Sequence, residues 1–275
     1  MTTPTSSHAG NSFSPRAAIV VGSDSGIGKA TAVALAEAGM DVGITWHDDE
    51  QGARDTAREV EGKGRRAFVA RLDTTDLEGS QQVVRDLAEQ LGRLDVHVQA
   101  SGTGASTKLV DLTLDEWRSV VATDLDGAFA CIQQAAKLMV AQGSGGRIIG
   151  ITSVHEHQPR VGSSAYDAAK HGLGGLLKTA ALELGQDGIT VNAVAPGEIA
   201  TPMTGQEDEN PRVTKRPGVP LGRPGDAWEI AAVVAFLASP AAGYVTGASW
   251  PVDGGMLQMG PQAGSHIESD DWRER

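Results

Sequence analysis

The chain is poor in the residues that define several other protein classes. One cysteine, Cys131, excludes an internal disulfide, and its apolar helical surroundings read as buried core in a reducing compartment. No apolar run approaches the ~20 residues of a membrane span. Residues 1–14, rich in Thr, Ser, Gly and Asn, have no apolar core of the kind a signal peptide needs and read as a disordered lead. The location expected is therefore cytoplasmic. Basic side chains are outnumbered, 23 Lys and Arg against 35 Asp and Glu, and the formal net charge of −12 argues against a nucleic-acid or anionic-membrane partner. Binding phosphates needs a concentrated basic surface, and none is clustered here. His155 and His157 stand two apart without a convincing third ligand, so no metal is expected.

What is present suits one large domain. With 40% hydrophobic residues over 275 positions, the chain can bury a full core. Short apolar runs at 17–21, 41–46, 66–72, 94–100, 147–152, 189–195 and 249–252 read as strands. Helical stretches fall between them at 26–38, 50–62, 77–91, 114–142, 164–185 and 226–238. Strands alternating with helices predict an α/β fold, a seven-stranded parallel sheet with helices on both faces. The rhythm breaks at 197–225, a proline-bearing segment with the acidic run 207–210, which reads as a substrate loop or a solvated excursion. After 257 a Gly-, Ser- and acid-rich tail reads as disordered or laid over a neighbouring subunit, and the Trp272 indole favours the docked reading.

Two local patterns carry chemistry. The run Gly22-Ser-Asp-Ser25-Gly26-Ile27-Gly28 follows the first strand and opens an alanine-rich helix. A strand, a tight glycine turn and a helix N-terminus make an anion cradle, because backbone N–H groups and the helix dipole face a pyrophosphate that a Cβ would obstruct. This predicts a Rossmann-type, doubly wound dinucleotide-binding domain over residues 15–257. Tyr166 and Lys170, four apart on a helix, share one face, so the ammonium favours the ionised phenol and creates a proton donor or acceptor. Ser153, upstream, would hold the substrate oxygen.

These residues resemble the short-chain dehydrogenase/reductase family over almost all of residues 16–257. Gly22, Gly26 and Gly28 match its glycine turn, and Ser153, Tyr166 and Lys170 its catalytic set. Asn192, Pro196, Gly197, Ile199 and Thr201 are similar to its segment beside the nicotinamide, and Tyr244-Val-Thr-Gly247 with Val252-Asp-Gly-Gly255 to its C-terminal signature. The resemblance implies an NAD(P)-dependent oxidoreductase in which Tyr166 moves the proton, Ser153 donates to the reacting oxygen, and Lys170 also binds the nicotinamide ribose. It further implies an adenine contact at Asp73, close backbone approach at Gly102, and a homotetramer or homodimer.

Several departures accompany it. Asp124 stands where the family has an Asn in a proton relay, losing the amide donor and, if ionised, opposing the field of Lys170. A second reading leaves Asp124 as plain helix surface. Gln99-Ala-Ser-Gly102 replaces the usual Asn-Asn-Ala-Gly, and Val21 a Thr. Trp46 occupies the position of the acid that marks NAD use; Ser25 stands where an Arg often serves NADP, and His47 is a basic candidate beside Asp48. Asp24 and Asp48 would repel a phosphate, so NAD is favoured over NADP. The run Ser153-Val-His155-Glu-His157 is similar to one in glucose dehydrogenases of the family, with Met203 and Gln206 in the same pocket, and the lack of a basic face for an acidic acyl carrier favours a sugar, polyol or small ketone. A 3-oxoacyl-carrier reductase is the alternative within the family, and a catalytically impaired cofactor-binding regulator the alternative outside catalysis.

Overall fold

The computed structural model describes residues 13–104, 106–206 and 210–259. Five consecutive aliphatics, Ala17–Val21 (β1), form a strand with no side that can face water, and all five are buried. Its alternate residues serve two cores. Val20 joins Val33, Ile44, Val60 and Leu237 on one face, while Ile19 and Val21 join Leu87, Met139, Leu173 and Leu177 on the other. Burying each such side chain contributes roughly 1.5–3 kcal/mol, so both layers are needed to hold the sheet.

The helices follow the strands in turn: Gly26–Glu37 (α1), Asp41–Trp46 (β2), Glu50–Gly62 (α2), Ala67–Arg71 (β3), Leu77–Leu91 (α3) and Val96–Gln99 (β4). Beyond them lie Leu114–Val121 (α4), Gly127–Gln142 (α5), Gly146–Ile151 (β5), Ser164–Leu184 (α6) and Ile189–Pro196 (β6). The short pair Ile199–Ala200 (β7) and Gly225–Asp226 (β8), then Ala227–Ala238 (α7) and Ser249–Val252 (β9), complete the described chain. Seven strands form one parallel sheet in the order β3-β2-β1-β4-β5-β6-β9, as the alternation of strands and helices predicts. The order reverses direction between β1 and β4. A crevice opens at that switch, outside the carboxyl ends of the strands.

Three features differ from the sequence expectation. The helix expected at 114–142 is interrupted by a π-helical turn, Ala122–Asp126, between α4 and α5. Thr113 caps its start, accepting from the Glu116 N–H at 3.1 Å. Phe13, within the expected lead, is buried under the Arg147 guanidinium at 3.9 Å from its ring centre. The segment 197–225 carries the β7–β8 pair, which joins Ile199 to Gly225 and ties both ends of the loop together. The expectations for residues 1–12, for 207–209 in the acidic run and for the tail from 260 onward, Trp272 included, lie outside the described residues.

Candidate active site

The glycine turn closes because three positions have no side chain. Gly22 has φ 75°, and a Cβ there would come within 2.8 Å of the Ser101 backbone. At Gly28 a Cβ would lie 1.9 Å from the Gly22 carbonyl oxygen, so nothing larger fits. Thr45 of β2 braces the turn by accepting the Gly22 N–H at 3.0 Å, and the Ser23 hydroxyl accepts the Thr45 N–H at 3.1 Å. Ser25, the N-cap of α1, makes no side-chain cap, so the first N–H groups of the helix are left toward the crevice. The crevice holds about 940 Å³ and runs from His47 and Asp73 at one end to Ser153, Tyr166 and Met203 at the other. A cradle that any Cβ would fill and a helix start with no side-chain cap fit the pyrophosphate of a dinucleotide.

At the opposite end, β5 delivers Ser153. Its Oγ accepts the His155 N–H at 3.1 Å, which leaves the hydroxyl proton free to donate to a substrate oxygen. One turn of α6 separates Tyr166 from Lys170, whose Nζ lies 5.3 Å from the centre of the phenol ring. Lys170 is 3% exposed. Burial alone would lower its pKa, but the charge of Asp124 and the interaction with Tyr166 outweigh burial and hold it above the ordinary 10.5. The ammonium thus stays charged in a dry site, beside the phenol.

Asp124 is the partner that makes this possible. The π turn directs it inward, where it is 1% exposed, with one carboxylate oxygen 3.2 Å from Lys170 Nζ and the other accepting the Thr103 N–H at 2.7 Å. Of the two readings of Asp124, the one as plain helix surface is corrected, since the residue is buried against Lys170. It stands behind Gly102 rather than on the crevice wall, since a Cβ on Gly102 would meet both Asp124 and Lys170 at 3.1 Å.

The other end of the crevice is acidic. His47 lies between two carboxylates, Nδ1 2.9 Å from Asp48 and Nε2 3.5 Å from Asp73. Its pKa is raised, chiefly by the hydrogen bond to Asp48, with burial opposing and Asp73 assisting. Asp73 is lowered by the Thr75 hydroxyl and N–H, against a smaller effect of burial. Burial raises Asp24, and the charges of Asp49 and Asp48 add to that rise. Arg71, paired with Trp46 across β2 and β3, donates to the His47 carbonyl at 3.2 Å and lies 6.0 Å from the indole.

Gly22, Ser25, Gly26, Ile27, Gly28, His47, Asp73, Gly102, Ser153, Tyr166, Lys170, Pro196, Gly197, Ile199 and Thr201 all line this one crevice, with Met203 and Gln206. Asn192 does not. Its amide is buried between β6 and the approach to β9, donating to the Val245 carbonyl at 2.8 Å and accepting the Ala248 N–H at 3.1 Å. The missing Asn pair on β4 is replaced by a chain in which Gln99 donates to Ser101 Oγ at 2.7 Å and faces His97 at 3.3 Å. Sequence reasoning missed Thr103, Arg71 and Glu198. Glu198, on the crevice wall, accepts from Gln206 at 2.8 Å and pairs with Arg216 of the loop; only its place after Pro196-Gly197 could have signalled it. Among the described residues no group of three His, Cys, Asp or Glu could hold a metal ion.

A parallel doubly wound sheet with these side chains at its switch point defines a class, and the chain belongs to the short-chain dehydrogenase/reductase family of oxidoreductases. A family model described as enoyl-(acyl carrier protein) reductase matches residues 21–257. Among individual proteins, it is 52% identical to the uncharacterized oxidoreductase YohF of Escherichia coli K12 over 89% of this chain and 97% of that one. The crystal structure of acetoin dehydrogenase from Enterobacter cloacae is 53% identical, with a TM-score of 0.85 over 90% of this chain and 98% of that one. A 3-oxoacyl-[acyl-carrier-protein] reductase of Synechocystis is 39% identical over 88% and 97% of the two chains.

Proposed function

We propose that the chain is an NAD-dependent reductase and dehydrogenase of small hydroxyketones, diketones and the matching diols. The observation that carries this is the convergence of Ser153, Tyr166 and Lys170 on the wall of the crevice that begins at the glycine turn. A nicotinamide dinucleotide, its pyrophosphate at Gly22, Gly26 and Gly28, would supply or accept the hydride. The chain's own residues do the rest. Ser153 donates to the substrate oxygen, Tyr166 gives or takes that oxygen's proton, and Lys170 keeps a positive charge beside the phenol throughout.

The hydroxyketone preference has support from the chain itself. His155 Nδ1 lies 2.9 Å from the Gln158 carbonyl, which can only accept, so the ring proton belongs on Nδ1. Nε2 is then an acceptor on the crevice wall, edge-on to Tyr166 at 6.1 Å between ring centres. A hydroxyl next to the reacting carbonyl could donate to it. The acetoin dehydrogenase relative favours the same substrate class. For the cofactor, Asp24, Asp48 and Asp73 around the adenosine end favour NAD, since a 2′-phosphate would meet their charge. We extend the proposal to a cytoplasmic homotetramer or homodimer; Trp117, Phe129 and Leu182 leave apolar area exposed on α4, α5 and α6.

The test is a nicotinamide-absorbance assay with NADH and NADPH against acetoin, diacetyl, sugars, polyols and a 3-oxoacyl thioester. Tyr166→Phe keeps the ring and removes the proton donor, and should lower kcat by about 100- to 10,000-fold with cofactor affinity unchanged. Near-full turnover in that variant would overturn the mechanism. Preference for the thioester would move the reading to a 3-oxoacyl-carrier reductase, and cofactor binding without any turnover to a regulator.

A further inference from the structure

Directly after the catalytic strand, a carboxylate that the mechanism does not use is buried among donors from its own loop, from α6 and from β9. We infer that Glu156 is a positioning residue that fixes Ser153 for catalysis. Its side chain is 2% exposed. Oε2 accepts from the Thr152 hydroxyl at 2.8 Å and from the Ser249 hydroxyl of β9 at 2.9 Å, and Oε1 from Lys178 of α6 at 3.3 Å. His157 Nε2 stands 3.9 Å from Oε2 and 3.0 Å from Ser249 Oγ, closing the ring of polar groups. A buried carboxylate with several donors is held far more rigidly than one in water, because each lost bond would leave a charge unsatisfied.

The structure makes room for this acid specifically. A Cβ on Gly174 would fall 2.3 Å from Glu156 Oε1, so the helix that carries Tyr166 and Lys170 is hollowed where the carboxylate enters. The effect converges on Ser153. Thr152 precedes it in the chain and is bound at its hydroxyl by Glu156. The Glu156 N–H in turn donates to the Ser153 carbonyl at 2.8 Å, and the turn Val154–Glu156 presents the His155 N–H to Ser153 Oγ. Glu156 therefore holds the serine from the residue before it and from the turn after it. With Gly174 and Lys178 it also sets that turn against α6, and so against Tyr166. A hydroxyl that must meet both a substrate oxygen and the phenol tolerates little displacement; about 1 Å of misplacement can cost about a hundredfold in rate.

The inference rests on the role proposed for Ser153, and a double-mutant cycle separates the two. Glu156→Gln is expected to lower kcat about tenfold or more while the cofactor KM stays within about twofold, because the cofactor cradle is untouched. In a Ser153→Ala background the same substitution should change kcat by less than about threefold, since no serine hydroxyl remains to be misplaced. Thermal unfolding of each variant is read alongside, and Glu156→Asp, which keeps the charge, should recover part of the lost kcat. Glu156→Gln with wild-type kcat, or a loss that persists in full in the Ser153→Ala background, would overturn the inference and leave a structural role only. If instead Ser153→Ala alone keeps full turnover, the reading of Ser153 itself fails, and the inference falls with it for a different and visible reason. Should Glu156→Gln not fold, Ser249→Ala withdraws one donor from the same oxygen, and the same two outcomes decide the cycle.

Discussion

His97 sits in the middle of the sheet with no exposed surface, on β4 between Ile19 of β1 and Ile148 of β5. Burial drives its pKa down to about 4 from an ordinary 6.5, and the hydrogen bond to Gln99 opposes only part of that. Above pH 6.5 the ring is neutral in the folded and unfolded chain alike, so it adds no pH dependence. Below it, the unfolded chain takes up a proton that the folded chain refuses until about pH 4, and stability falls as pH drops through that window. At about 1.36 kcal/mol per unit the loss is about 3 kcal/mol, a large share of the roughly 5–15 kcal/mol that holds a domain. Every titrating carboxylate also moves the curve, so the measurement is a difference. Urea unfolding of wild type and His97→Leu at several values between about pH 7 and pH 4.5 isolates it. The variant should lose about 2–3 kcal/mol less than wild type across that range, with the gap opening only below the ordinary histidine value. Parallel curves would refute the reasoning, and with it the assignment of a neutral ring.

Two further outcomes follow from the crevice. Lys170 has its pKa raised, so the stability it contributes is full below 10.5 and is lost as pH rises through the folded value; in Asp124→Asn burial is opposed by Tyr166 alone, and the alkaline limb of kcat/KM should move to lower pH. A pH–rate profile unchanged by Asp124→Asn would dispose of this. Gly28→Ala places a methyl where only 1.9 Å separates it from the Gly22 carbonyl oxygen, so the turn must open and NADH affinity should fall at least about tenfold by fluorescence titration. Unchanged affinity would mean that the cradle is not at this turn.

The sheet was legible because short apolar runs recur between the helices: β1 is wholly aliphatic, and β5 and β6, six and eight residues long, are buried throughout around aliphatic centres. Local chemistry was legible for the same kind of reason. The glycine turn, the Tyr and Lys one helical turn apart, and a serine at a strand end each declare themselves within a few neighbouring residues. Arg71 was not legible, because it reaches His47 only through the register of β3 on β2, and no pattern in the sequence of either strand sets that register. Glu156 was hidden too. Its donors come from Thr152, Lys178 and Ser249, and no spacing in the chain relates 156 to the last two.

Asp124 was legible as a site residue from the Asn position it occupies, but the turn that carries it was not. A helical period of 3.6 assigns each residue of 114–142 to a face, but a π turn inserts extra backbone and shifts every face after it. Asp124 lies within that turn. Turned inward, Asp124 meets an ammonium with almost no contact with water, where burial alone would lower the lysine's pKa. An asparagine could orient Lys170 at this position but would oppose the effect of burial on its proton less strongly. The carboxylate weakens the net field that reaches Tyr166, yet it secures the cation from which that field comes. The substitution of Asp for Asn is thus a change in how the charge is held, which is why its signature should lie in the pH profile rather than in the loss of turnover.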